Sequence, residues 1–149
     1  MDAPLLTDDF KEFLKSLNAN HVDYLLVGGY AVGLHGYPRA TIDLDVWVRP
    51  DQGNARRVIA ALCMFGFETT TLTDDLFIRL DSIVRFGVPP FRIEIMTAID
   101  GVQFDPCHAR ADTFDVDGLP VPVISLIDLK TNKRAAGRHK DLDDLENLP

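Results

Sequence analysis

The chain has 149 residues, 46% apolar and 26% charged, with a formal net charge of -8, a profile that suits one compact domain, expected over residues 1–149. No apolar run reaches the roughly 18 residues needed to cross a membrane, and the start MDAPLLTDDF lacks the basic head and apolar stretch of a secretory signal, so a cytoplasmic location is expected. The negative charge argues against nonspecific coating of nucleic acid, which depends on many Lys and Arg contacts to phosphate, and Cys63 and Cys107 form no disulfide or metal spacing.

In chain order, a helix is predicted over residues 8–17, with Thr7 as its N-cap and Phe10, Phe13, Leu14 and Leu17 on one face. A short apolar strand, residues 24–27, ends at Gly28-Gly29, and residues 30–35 form a short helix before the Gly36-Tyr37-Pro38 break. Residues 41–48, TIDLDVWV, read as a strand by their alternation and β-branched content. Asp51 caps a helix whose face carries Ala55, Val58, Ile59, Leu62 and Cys63, and Gly66 stops it. Two strands are expected over residues 77–86 and 91–96, and a hairpin over 113–123 turning at Asp117-Gly118. Helices over 126–136 and 138–148 follow, separated at Gly137. The sum is a mixed α/β domain of the α+β type, a sheet of four or five strands flanked by helices.

Period-2 geometry puts Asp43, Asp45 and Trp47 on one side of their strand and Ile42, Leu44, Val46 and Val48 on the other. The two carboxylates, about 7 Å apart along the strand, can converge on one divalent cation of oxygen preference, Mg²⁺ or Mn²⁺. The plainer alternative is a solvated polar face. In residues 91–96, Phe91, Ile93 and Ile95 alternate with Arg92, Glu94 and Met96, so Glu94 becomes a third acid if this strand neighbours the first. A cross-strand salt bridge between Arg92 and an aspartate is the competing reading. Gly28-Gly29, between a strand and a helix start, would let a phosphate approach the backbone. Arg39 could grip a phosphate in bidentate fashion or simply be a surface charge. His35 reads as structural. Lys130, Lys133, Arg134, Arg138 and Lys140 form a basic cluster whose partner is either the acidic run Asp141, Asp143, Asp144, Glu146 or a phosphate in the cleft.

Taken together, Val27-Gly28-Gly29-Tyr30-Ala31, His35-Gly36, Arg39-Ala40-Thr41-Ile42-Asp43-Leu44-Asp45 and the stretch from Asn132 to Leu145 resemble the DNA polymerase beta-like nucleotidyltransferase superfamily. The resemblance is to its small bacterial members, including relatives of abortive-infection type toxins. It implies the nucleotidyltransferase fold, with nucleoside triphosphate binding by Gly28, Gly29, Arg39 and Thr41. Asp43, Asp45 and Glu94 would hold the catalytic metal, with Lys133 and Asp141 as further catalytic residues. The family often has Gly-Ser where this chain has Gly28-Gly29, and no large C-terminal helical domain is evident. The implied reaction moves a nucleoside monophosphate from a triphosphate to an acceptor hydroxyl, with RNA or protein as the acceptor. The alternative is a non-catalytic nucleotide- or partner-binding module of the same fold, for example one half of a toxin–antitoxin pair with a cognate partner protein.

Overall fold

The computed structural model describes residues 6–87 and 92–149. Helix α1 (Asp8–Ala19) starts where Thr7 accepts a hydrogen bond from Phe10 N. Strand β1 (Tyr24–Val27) runs directly into α2 (Gly28–Leu34), then come β2 (Asp43–Val48) and α3 (Gln52–Phe65). Asp51 caps α3 by accepting from Asn54 N, and Gly66, at φ 114°, closes it in the left-handed region. Strands β3 (Ile83–Phe86) and β4 (Arg92–Met96), helix α4 (Phe104–Ala109), hairpin strands β5 (Asp112–Val116) and β6 (Leu119–Val123), and helices α5 (Leu126–Ala136) and α6 (His139–Asn147) complete the chain.

The strands form one mixed sheet in the order β3-β4-β2-β1-β6-β5. Six strands stand where four or five were expected, because β6 joins β1 in parallel and so brings both arms of the hairpin into the same sheet. One face carries Leu44, Val46 and Val48, all buried. An aromatic chain of Phe13, Phe65, Phe67 and Phe86, with successive ring centroids 5.5, 5.1 and 4.9 Å apart, ties α1 and α3 to that face. On the opposite face Trp47 meets Phe104 of α4 edge-on, 5.1 Å between centroids.

Several expectations change in detail. Ile42 is 48% exposed, because β2 begins only at Asp43. The buried stripe of α3 is Asn54, Ala55, Val58, Ala61 and Leu62, which leaves Cys63 one step round the helix in solvent. The strand expected over 77–86 is reduced to Ile83–Phe86. Residues Asp74–Phe77 form a 3-10 turn that buries Phe77. A bend follows, and Thr97 fastens it by donating to Arg79 O at 2.6 Å and accepting from Ser82 N at 3.0 Å. Phe91, expected at the head of the next strand, lies outside the described residues. Helix α4 was not expected; Pro106 sits in its first turn, where no intrahelical N–H is required.

Candidate active site

Strands β2 and β4 are parallel neighbours, with Asp43 opposite Arg92 and Asp45 opposite Glu94. In-register partners point to the same side of a sheet, so the pairing brings Asp43, Asp45 and Glu94 onto one face. The cross-strand ion pair is present as well: Arg92 Nε lies 3.4 Å from Asp43 Oδ1, and Arg85 of β3 reaches Glu94 at 3.1 Å. Asp45 has no such partner. Its Oδ1 is shielded from solvent and accepts no hydrogen bond among the described residues. Burial, then the charges of Glu94 and Asp43, push its carboxyl up to about 7, against the opposing pull of Lys140 and Lys133. An orphaned buried oxygen amid two further acids is a donor set that a hard divalent cation would complete. Among the described residues no three His, Cys, Asp or Glu side chains are grouped as a ready-made cation site, in keeping with the arginines on Asp43 and Glu94.

The glycine pair is fitted to this carboxylate. Val27 pairs with Asp45, so the chain turns into α2 directly beside it. Gly28 has φ 68°, and a Cβ there would fall 2.0 Å from Asp45 Oδ2. At Gly29 a Cβ would fall 2.6 Å from Thr41 Oγ1. The space that a side chain at either glycine would fill is taken by the protein's own Asp45 and Thr41. A cleft of about 550 Å³ opens over these groups, and every site residue read from the sequence except Asp141 lines it.

No protein-family model and no curated protein sequence matches the chain. Solved structures do. A protein of Thermotoga maritima, provisionally described as a nucleotidyltransferase, aligns with TM-score 0.61 at 18% identity over 92% of this chain and 88% of its own. The lincosamide antibiotic adenylyltransferase LnuA, solved with lincomycin, aligns with TM-score 0.57 at 16% identity, covering 97% of this chain and 96% of that one. An antigenic nucleotidyltransferase-like protein of Paracoccidioides brasiliensis gives TM-score 0.57 at 20% identity over 97% of this chain and 77% of its own. The fold is that of the nucleotidyltransferases.

On this nucleotidyltransferase scaffold the C-terminal charges form a buried lattice. Lys133 of α5 lies 3.1 Å from both Asp141 and Asp144 of α6. Arg39 closes on Asp144 with Nε and Nη2 at 2.7 and 2.9 Å. Arg138 closes on Asp141 with Nε at 2.7 Å, and its backbone N–H donates to the same group at 3.1 Å. Burial works to raise both aspartates, but the guanidinium and ammonium partners outweigh it and hold both below the ordinary carboxylate value. Lys133 is paired with the acidic run, and Asp141 stands behind it, out of the cleft. Arg39 turns its fork to Asp144. His35 is structural, with Nε2 2.7 Å from Ile124 O.

Among the described cations that line the cleft, Lys140 is the one without an ion pair. From sequence it belongs to the basic cluster but not to the site. Its position three residues into the C-terminal run, beyond the Gly137 break, was the available signal.

Proposed function

We propose that this chain is a metal-dependent nucleotidyltransferase, moving a nucleoside monophosphate from a nucleoside triphosphate to an acceptor hydroxyl. The observation that carries the reading is Asp45: an unpartnered, shielded carboxylate oxygen, flanked by Asp43 and Glu94, at the floor of a cleft. Asp43, Asp45 and Glu94 would hold Mg²⁺ or Mn²⁺, which when bound offsets phosphate charge and polarises the phosphoryl group. In the transfer, the acceptor oxygen bonds to the α-phosphorus. The bond from that phosphorus to the bridging oxygen breaks, and pyrophosphate leaves with the electron pair. The acceptor proton passes to Asp45 or Glu94. Lys140 faces the cleft uncommitted and is placed to meet the triphosphate; Gly28 and Gly29 keep the cleft wall low beside it. Lys133, at the cleft wall, and Asp141, behind it, hold α6 and therefore Lys140 in position.

The likeness to LnuA supports nucleotidyl transfer by a chain of this extent. The likeness to abortive-infection type toxins rests on the sequence motifs between Val27 and Asp45 and on the stretch from Asn132 to Leu145, and on no structural neighbour described above. The second reading, a non-catalytic nucleotide- or partner-binding module, is favoured by one observation: arginines already neutralise Asp43 and Glu94. The two separate in one experiment. The protein is incubated with each α-labelled nucleoside triphosphate, Mg²⁺, and total cell RNA or protein. Label on an acceptor with release of pyrophosphate, lost in Asp43→Ala, supports the enzyme. Triphosphate binding without transfer to any acceptor supports the module.

A further inference from the structure

A second cavity, of about 600 Å³, adjoins the carboxylate cleft and shares Asp81, Ala98 and Ile99 with it. Its size falls within the range of small-molecule sites, roughly 300–1,000 Å³. Trp47, two residues beyond Asp45 and on the same face of β2, forms part of its wall, and Phe104, Leu80 and Val102 add apolar surface. Trp47 is 1% exposed, yet its indole N–H has no hydrogen-bond partner among the described residues. A buried donor left unmet is costly and is a rare native feature.

The charges around this cavity differ from those of the cleft. Its one arginine, Arg49, is already held by Asp105 at 2.9 Å and by Asp23. Asp51 and Asp81 have no ion pair among the described residues. The lining is therefore acidic, which disfavours a phosphate backbone and favours a protonated amine. Asp81 also adopts φ 65°, a conformation L-residues seldom take, at the wall common to both cavities.

We propose that this cavity receives the acceptor, and that the acceptor is a small amino alcohol with an apolar body: its hydroxyl toward the carboxylate cleft, its ammonium beside Asp81, its body against Leu80, Ile99 and Val102. The assignment of the acceptor role rests on the transfer reading; the binding does not. The hydroxyl oxygen is the atom that bonds to the α-phosphorus, with pyrophosphate leaving and the proton passing to the cleft carboxylates.

Trp47 is the chain's single tryptophan, so its emission reports this cavity directly. Three probes share a phenyl body and a hydroxyl and differ in charge: 2-amino-3-phenylpropan-1-ol, its N-acetyl derivative, and 3-phenyllactate. Titrations without nucleotide or metal should give a saturable change in Trp47 emission for the amine, about tenfold tighter than for the N-acetyl compound, with phenyllactate weakest. Asp81→Asn, a residue that tolerates the left-handed conformation, should bring the amine to within about twofold of the N-acetyl probe. Leu80→Lys, at a residue 67% exposed, should weaken the amine without disturbing the fold. ATP should leave the amine titration in place. Unchanged emission with all three probes up to about 10 mM, equal binding of the three, or displacement by ATP would overturn the cavity's assignment. With ATP and Mg²⁺ added, label should appear on the amine's hydroxyl. Label on RNA or protein that the amine fails to suppress overturns the acceptor role. A preparation that labels nothing sinks the transfer reading instead, and the emission titration alone then decides the cavity.

Discussion

Asp45 concentrates the chemistry of the site in one carboxyl group. Its raised value means the native state holds that proton more tightly than the unfolded chain, whose aspartate titrates near 3.8. Stability contributed by the protonated group is therefore complete below about pH 4 and lost as pH rises toward about 7. Asp45→Asn removes the loss. In chelator-containing buffer the variant should gain on the wild type between those limits and level off above them. A difference in unfolding free energy that stays flat with pH would show that the carboxyl is not raised. Gly28 supports the same group. Gly28→Ala meets both the left-handed backbone and the Asp45 carboxylate, so it should cost about 1–2 kcal/mol from the backbone alone and displace Asp45 from its place. Urea unfolding checks the first. The second predicts that any stabilisation by Mg²⁺ weakens together with it.

At the scale of elements, the parallel contact of β2 with β4 and the docking of α6 on α5 build the cleft. Lys133→Ala would leave Asp141 and Asp144 buried with only one arginine each, and breaking such a buried pair costs about 3–5 kcal/mol. Arg134→Ala, at an exposed neighbour, should stay within about 0.5 kcal/mol. Chemical denaturation of both separates this from a surface lattice, in which the two would be equally mild. These elements were unequally legible in the sequence. The alternation in residues 41–48 was enough to place Asp43 and Asp45 on one face, because strand period depends only on the local chain. Helices α1 and α3 are legible from periodic apolar residues and their caps, and α5 and α6 from the Gly137 break between them. Helix α4 escaped because six residues with a proline inside give no period to read. The grip of Arg39 on Asp144 spans 105 positions, and no local pattern encodes it. Trp47 was assigned its side of β2, but only the packing of Phe104 shows that this side is walled rather than open.

For the whole molecule, Asp141 and Asp144 are buried against Lys133 and two arginines, while Asp43, Asp45 and Glu94 gather at the opening of the cleft. A divalent ion binding there should stabilise the native state and not the unfolded chain. Mg²⁺ or Mn²⁺ should raise the melting temperature, and Asp43→Ala and Asp45→Ala should each abolish the rise while leaving a cooperative transition. A rise that persists in both variants places the ion elsewhere. The ionic lattice also links the cleft to the packing of α6. Arg39, which precedes β2, holds Asp144 on the same helix that carries Lys140, the uncommitted cation of the cleft. A helix that loosened from this anchor would carry with it the positive charge that opposes the rise of Asp45.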